Sequence, residues 1–305
     1  MRNIFRFIII VLLALAGAVA GVQAQGSGSS SIVSLLNPLS SRAAAMGEAC
    51  SGISGDLMTV NYNPAGLFEI ENLQVSAMYQ KGLSDDVFAS VVVGKKFSSG
   101  SLGTAVSYYS TGKISLYNID GDLIRKTGQR DIVLIIGSAR RFNFLFGGLN
   151  LKFISSEVFG RDALCLAVDM GGQYRVTNDM VVGVSVQNIG PELKYIEKFE
   201  KLPYIARSGM SYNLNIENEE FLFALDFPYY INEEELKLNI GLEAVFEDRL
   251  SIRLGLKSNL TRPDKIDEKL TLGWGLEVEN FEFNYSVGIT DHLNIPQRIS
   301  VDFKY

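Results

Sequence analysis

The sequence predicts an all-β protein: a transmembrane antiparallel β-barrel of about 14 strands, preceded by an N-terminal plug segment. Three observations predict this fold. Segments of roughly ten residues alternate apolar and polar side chains, and turn-forming residues separate these segments. After residue 24, no apolar run is long enough to form a membrane helix.

The first 24 residues are typical of a secretory signal peptide. Arg2 and Arg6 precede an apolar stretch from Phe7 to Ala20, and the small residues that follow end at Ala24. We expect cleavage before Gln25. A retained anchor helix is the alternative, but an apolar stretch of about 14 residues is short for roughly 30 Å of hydrocarbon.

Residues 25–71 are predicted to form a plug or a periplasmic segment. Gly, Asn and Pro interrupt this stretch, and residues 42–47 (RAAAMG) predict a short helix or turn. Because the segment precedes the first strand, we expect it to fold back into the barrel and offer backbone groups to a polar wall. A periplasmic arm is the alternative. The residues expected to carry the plug are Arg42, Met46, Gly47, Asp56, Asn63, Pro64, Ala65 and Gly66.

Residues 72–305 are predicted to form the barrel. The even number of strands agrees with the rule for bacterial single-chain barrels. The predicted strands lie near 72–80, 86–97, 100–111, 130–141, 145–156, 162–175, 178–189, 203–215, 219–228, 235–247, 249–258, 269–279, 281–290 and 296–305.

The alternation predicts which face of each strand meets lipid. Between 162 and 175, Leu164, Leu166 and Met170 share one face, whereas Cys165 and Asp169 share the other. A soluble β-sandwich also alternates, but the strand lengths and the charged polar face favour a membrane barrel.

Charged side chains on the polar face are predicted to point into the lumen. An Arg or Lys facing lipid at the bilayer midplane would cost about 2–4 kcal/mol. We expect opposite charges to pair with each other or with the plug, and a charged channel lining is the alternative. The main lumen-facing polar residues predicted are Asp169, Gln187, Arg207, Lys237, Glu243, Arg253 and Glu277, with Lys257, Glu282, Arg298 and Asp302 on the same face.

The connections and the last strand also fit a barrel. Tight turns, such as those near 98–99 and 279–280, are predicted to alternate strictly with longer connections, such as 112–129 and 190–202. Short periplasmic turns and longer outer loops have this arrangement. The final strand alternates apolar residues and resembles the C-terminal signal read by the barrel-assembly machinery. That signal comprises Ile299, Val301, Phe303 and Tyr305.

The residues needed for catalysis or metal binding are scarce. The net charge of −6 argues against a nucleic-acid partner. His292 is the only histidine, so we expect it to be a solvated loop residue, and two cysteines with one histidine cannot close a zinc site. Whether Cys50 and Cys165 pair is left open. The sequence therefore predicts neither an enzyme nor a cofactor.

Motifs spread along most of the mature chain resemble the PorV/PorQ-like family, within the FadL-like group of outer-membrane barrels. Each motif alone is weak, and their order and spacing are more specific. They are residues 42–47 (RAAAMG), 63–67 (NPAGL), 151–154 (LKFI), 167–171 (AVDMG), 187–191 (QNIGP), 202–204 (LPY) and 207–209 (RSG).

The resemblance implies a 14-stranded barrel with an N-terminal plug in the cell outer membrane. It further implies a role in type IX protein secretion or the surface attachment of cargo, and the alternative is a FadL-like channel for hydrophobic small molecules. Expected partners are outer-membrane lipid, the barrel-assembly machinery and, for the first function, secretion-system proteins and exported cargo.

Overall fold

The computed structural model describes residues 32–82, 86–112, 114–117, 119–120, 122–195, 198–263, 268–290 and 295–305. The predicted signal peptide and the predicted loop residue His292 lie outside the described residues.

Fourteen strands form one closed antiparallel barrel, in which β1 pairs with the last strand, β18. This confirms the predicted fold class, and every predicted strand end lies within two residues of the observed end. The barrel strands are β1 (Leu73–Lys81), β2 (Val87–Phe97), β3 (Gly100–Ser110), β6 (Gln129–Phe142), β7 (Leu145–Val158), β8 (Arg161–Arg175), β9 (Met180–Ile189), β12 (Ile205–Ile216), β13 (Glu219–Tyr230), β14 (Glu235–Phe246), β15 (Leu250–Asn259), β16 (Glu268–Val278), β17 (Phe281–Thr290) and β18 (Gln297–Lys304).

The two ends of the barrel differ in their connections. At the short-turn end, six turns such as 98–99 and 279–280 join neighbouring strands, and β1 begins and β18 ends there. At the opposite end, which we call the loop end, two connections carry small hairpins. These hairpins are β4 (Ile114–Tyr117) with β5 (Leu123–Thr127), and β10 (Leu193–Tyr195) with β11 (Lys198–Glu200).

The prediction of a strict alternation of short and long connections is wrong at one place. Strands β7 and β8 meet at the loop end through only two residues, Phe159 and Gly160, whose φ angles are 52° and 73°. Two residues with positive φ make the tight turn that matches the twist of a hairpin. A phenylalanine rarely adopts this conformation, so the turn had no clear sequence signal.

The outward face of the barrel is apolar. Leu166 on β8, Trp274 on β16 and Phe283 on β17 expose about half of their surface, at 51%, 47% and 46%. Aromatic residues such as Phe281 and Tyr305 stand at the short-turn end of this face. The apolar rows are therefore not buried between two stacked sheets, and the cylinder is closed by hydrogen bonds all the way round. None of the described helices is long and apolar enough to cross a membrane.

Residues 32–72, which we call the plug, lie inside the barrel and precede β1. The plug contains one short α-helix, α1 (Ser41–Ala45), and 3₁₀ helices at Val33–Leu36, Leu57–Asn61 and Pro64–Glu69. Side chains cap the first turns of three of these helices. The Ser40 Oγ accepts a hydrogen bond from the Ala43 amide at 3.1 Å, and Asp56 and Asn63 cap the second and third 3₁₀ helices. The short helix or turn predicted at 42–47 is thus observed as a helix at Ser41–Ala45 followed by a turn.

Candidate functional site

The candidate site is the barrel interior, because the plug and the inward side chains of the wall meet there. Inward-facing glycines make room for the plug. A Cβ added at Gly255 would lie 2.1 Å from the Gly47 amide nitrogen, and one at Gly148 would lie 2.3 Å from the Ala65 amide nitrogen. Such distances are too short for a side chain, so glycine is required at these two contacts between the plug backbone and the strands.

Polar wall side chains bind the plug backbone. The carboxylate of Asp226 on β13 accepts hydrogen bonds from the amides of Cys50 and Ser51, at 3.1 and 3.0 Å. Gln173 on β8 donates to the carbonyls of Ser51 and Ile53, at 2.9 and 2.7 Å. The plug has little regular secondary structure, so these side chains form hydrogen bonds with backbone groups that would otherwise be buried without partners.

Strands β12–β18 and plug residues 42–56 form the charged half of the interior. Arg42 of the plug forms ion pairs with Asp56 and, at 2.5 Å, with Glu243 on β14. Glu243 also pairs with Arg253 on β15 at 2.5 Å, and Arg253 reaches Glu282 on β17 at 2.7 Å. The side chains of Arg253 and Glu243 are almost fully buried, so the network ties the plug to three strands in a region with little water.

Strands β1–β3 and β6–β8 and plug residues 32–39 and 57–70 form what we call the apolar half. Polar wall side chains also face inward here: Asp131 accepts a hydrogen bond from the Ser34 hydroxyl at 2.6 Å, and Asn150 donates to the Val60 carbonyl at 2.7 Å. The apolar inward side chains of the wall pack against apolar plug residues in one cluster. The plug contributes Ile32, Leu35, Leu39, Leu57, Val60, Leu67 and Ile70, and the wall contributes Met78, Phe88, Val92, Ala105, Val133, Ile135, Ala139, Ile154, Ala163, Cys165 and Ala167.

The connection between β9 and β12 closes the apolar half at the loop end. We call its described residues, 190–195 and 198–204, the cap. Leu193 and Leu202 of the cap are fully buried in the apolar cluster. The Tyr195 hydroxyl donates to the Ser156 hydroxyl on β7 at 2.6 Å, and the Cys165 thiol donates to the Pro191 carbonyl at 3.2 Å. The cap therefore covers apolar side chains with apolar side chains, and hydrogen bonds such as these attach it to the wall.

A buried ion pair lies beside the end of β9, where the cap begins. Lys152 on β7 and Asp169 on β8 are 2.9 Å apart and almost fully buried. Asp169 also accepts a hydrogen bond from the Asn188 amide at 2.7 Å, where the register of β8 and β9 shifts. Asn188 in turn donates to the Pro203 carbonyl at 2.8 Å. The pair thus fixes the β-bulge from which the cap departs.

An open cavity lies at the short-turn end. Its volume is about 870 Å³, and it is lined by the end of the plug and by residues of β1, β2 and β18. Glu69 of the plug, Lys96 on β2 and Lys304 on β18 contribute to its lining. Glu69 forms an ion pair with Arg175, and the ammonium of Lys96 donates to the Phe68 carbonyl, so the last turn of the plug is attached on two sides.

The structure brings most of the predicted plug residues into contact with the wall. Met46 and Gly47 pack against Gly241 and Gly255. The amide of Asn63 donates to the carbonyls of Ser51 and Gly172, at 2.9 and 3.1 Å. Pro64, Ala65 and Gly66 form the next turn, which is buried. Arg42 and Asp56 belong to the ion-pair network described above.

The predicted lumen residues all lie on the inward-facing side of their strands. Gln187 donates to the carbonyls of Asn61 and Tyr62, and Arg207 donates to Gln187 at 2.7 Å. Lys237 lies 5.0 Å from the ring centre of Tyr230. The remainder are Asp169, Glu243 and Arg253, described above, Glu277, which is half-buried, Lys257, which pairs with Glu48, and Glu282, Arg298 and Asp302.

The final strand and the cysteines complete the predicted set. Ile299, Val301, Phe303 and Tyr305 lie on the outward face of β18 or just beyond it. Their recognition by the barrel-assembly machinery stays a prediction. Cys50 and Cys165 are both buried and free, so they do not form a disulfide in this structure. They lie in different halves, Cys50 in the plug beside Asp226 and Cys165 beneath the cap.

Comparison with solved structures identifies the fold. The toluene transporter TodX of Pseudomonas putida is similar with a TM-score of 0.64 and 12% sequence identity, over 86% of this chain and 96% of that one. The monoaromatic hydrocarbon channel CymD gives a TM-score of 0.65 and 13% identity over 88% and 97% of the two chains. A FadL homologue of Pseudomonas aeruginosa gives a TM-score of 0.59 and 10% sequence identity, over 88% of this chain and 98% of that one.

The fold is that of a FadL-like outer-membrane β-barrel. No family model matches the sequence, and no curated protein matches it significantly. The narrower membership in the PorV/PorQ-like family therefore stays a prediction from the motifs.

The apolar half is the functional region that the sequence analysis missed. Its signal was present in residues 132–136 (IVLII) and 91–93 (VVV), where the alternation gives way to continuous apolar runs. Such runs indicate a strand with apolar neighbours on both faces. Here one face meets the outside of the barrel and the other meets the plug.

Proposed function

We propose that this chain is a non-enzymatic outer-membrane channel for hydrophobic small molecules, such as monoaromatic hydrocarbons. The observation that carries the proposal is the apolar half of the interior, where the wall, the plug and the cap present buried apolar side chains to one another. Transfer of an apolar solute from water to a site lined by such side chains is favourable. The roles of TodX and CymD support the same substrate class.

The structure suggests a route for such a solute. It would enter at the loop end beneath the cap, where Leu193 and Leu202 cover the apolar cluster. It would leave through the cavity of about 870 Å³ at the short-turn end. The plug fills the interior between these points, so passage requires its residues 57–70 to move. The ion pairs of the charged half keep the rest of the plug attached during that movement.

The type IX secretion hypothesis, with its secretion-system partners and exported cargo, stays a prediction. None of the three similar structures reported above is described as a secretion component. No contact among the described residues favours it over transport.

Uptake measurements test the channel directly. Cells that lack the chain, cells that express it and cells that express Leu193→Asp are compared for uptake of radiolabelled toluene and of a small sugar. We expect faster toluene uptake with the native chain, altered uptake with the cap variant, and unchanged sugar uptake. Ile119→Asp, at an exposed hairpin tip, is the matched control. Toluene uptake that does not depend on the chain would overturn the proposal.

A further inference from the structure

A groove interrupts the apolar outward face across β18, β1, β2 and β3. Its volume is about 490 Å³, and its floor is formed by the small residues Ala77 and Ala89. In the strand register, Ala89 lies between Tyr79 on β1 and Tyr108 on β3. Neighbouring strands are about 4.8 Å apart, so the two tyrosines stand roughly 10 Å apart with a gap between them. The groove is therefore wide enough for one slender apolar chain.

Two cations stand at the loop-end rim of this groove. Lys81 follows Tyr79 by two residues on β1, so it shares the outward face and is exposed. Arg130 lies opposite Ser110, which follows Tyr108 by two residues on β3. Arg130 is engaged in an ion pair with Glu157, whereas Lys81 is exposed and lies on the same face of β1 as Tyr79, which lines the groove. The apolar groove thus has a positively charged rim at its loop end.

We propose that the groove binds one acyl chain of an anionic phospholipid, with the lipid phosphate at Lys81. From Lys81 to Ala77 the strand rises by about 13 Å, and with the usual strand tilt of about 40° this is roughly 10 Å along the membrane normal, within the roughly 15 Å that one leaflet provides. The apolar lining matches the chain, and the rim charge matches the phosphate. The site goes beyond the proposed transport and requires only that the barrel lies in a bilayer.

Filling the groove tests the apolar part of the site. Phosphatidylglycerol is titrated into the detergent-solubilised full chain, and bound lipid is counted by native mass spectrometry. We expect the Ala77→Leu/Ala89→Leu variant to lose affinity about tenfold, because two added side chains occupy the space of the acyl chain. Ala244→Leu, on the outward face of β14, is the matched control and should bind as the native chain does. An unchanged affinity in the double variant would overturn the proposal, as would an equal loss in the control.

Removing the rim charge tests the headgroup. Lys81→Gln should weaken phosphatidylglycerol binding about fivefold, which corresponds to roughly 1 kcal/mol for one lysine near a lipid surface. Binding of zwitterionic phosphatidylcholine should not change. Lys95→Gln, at the short-turn end of β2, is the control. Equal effects on the two lipids, or no effect on either, would contradict a phosphate at Lys81. A gel shift on heating verifies that each variant is folded.

Discussion

The two halves of the barrel interior hold the same plug by different physical means. In the charged half, Glu243 and Asp226 bind the plug by directed bonds, and Arg253 holds Glu243 in place. In the apolar half, a few hydrogen bonds such as that from Asn150 to the Val60 carbonyl accompany an apolar cluster in which residues such as Ile135 and Leu67 are held by burial, which has no direction. Burial tolerates exchange of one apolar partner for another, whereas a buried ion pair does not tolerate the loss of a partner.

This difference assigns anchoring of the plug to the charged half and passage of an apolar solute to the apolar half. The charged half should keep residues 42–56 in place whatever the plug does elsewhere. The apolar half can accept an apolar guest, because the guest replaces contacts of the same kind. The predictions below alter one half at a time and begin with the largest expected effect.

Removing Arg253 should do the most damage. Arg253→Met removes the cation that Glu243 and Glu282 share, so Glu243 keeps only Arg42 and Glu282 keeps only the half-exposed Lys304, at 3.5 Å. The expected loss is about 3–5 kcal/mol of unfolding free energy, the usual cost of breaking a buried pair. Urea unfolding in detergent, followed by tryptophan fluorescence, measures it.

A second variant verifies the cause of that loss. Adding Glu282→Gln to Arg253→Met removes the buried carboxylate that loses its close partner and leaves the Arg42–Glu243 pair intact, so part of the stability should return. If the double variant is no more stable than the single one, burial of the Glu282 charge is not the cause.

Shortening a side chain in the apolar half should cost less and should be rescued by ligand. Ile154→Ala removes a fully buried side chain, at an expected cost of about 2–4 kcal/mol. The resulting apolar void is suited to a small aromatic molecule, so saturating toluene should restore part of the stability. Toluene should not restore the stability of the Arg253→Met variant. If toluene stabilised both variants, or neither, the proposed difference between the two halves would be contradicted.

Single added methyl groups compare the two halves at their contacts with the plug. Gly255→Ala meets plug backbone in the charged half, whereas Gly103→Ala meets only the Leu67 side chain in the apolar half. We expect a loss of about 1–3 kcal/mol for Gly255→Ala and a smaller one for Gly103→Ala, because a side chain can move aside. Gly172→Ala, with no neighbour closer than 3.8 Å, is the control. Equal losses at all three positions would contradict this account.

The ion pair on the outer surface should contribute least. Arg130 and Glu157 face outward near the loop end, and more than half of the Arg130 side chain is exposed. Solvent screens such a pair, so Arg130→Gln should leave the unfolding midpoint unchanged within error. A clear destabilisation would show that exposure alone does not separate this pair from the interior network.

The sequence predicted the barrel well because a period of two residues is a local signal. The strands near 235–247, 249–258 and 269–279 could be placed because each repeats the alternation within itself. The turn at Phe159 was missed because its residue type gives no warning of a positive φ.

The interior was predicted less completely. The inward orientation of Glu243 follows from the cost of charge in lipid, and Arg42 was predicted to lie in the plug, but their pairing joins residues 201 positions apart and has no local signal. The apolar half was missed because Ile135 and Val133 look like part of a lipid-facing run until the plug is seen beside them.

The two native cysteines provide the most direct test, since one lies in each half. Burial, with Asp226 beside it, raises the pKa of the Cys50 thiol well above its usual value, so Cys50 should react slowly with a maleimide. Cys165 becomes reactive only when the cap opens, because its thiol is bonded to the Pro191 carbonyl. Cys50→Ser and Cys165→Ser allow each labelling rate to be measured alone. We predict that saturating toluene slows the labelling of Cys165 severalfold and leaves that of Cys50 unchanged. An unchanged or faster Cys165 rate, or equal slowing of both, would contradict the assignment of the apolar half as the binding region.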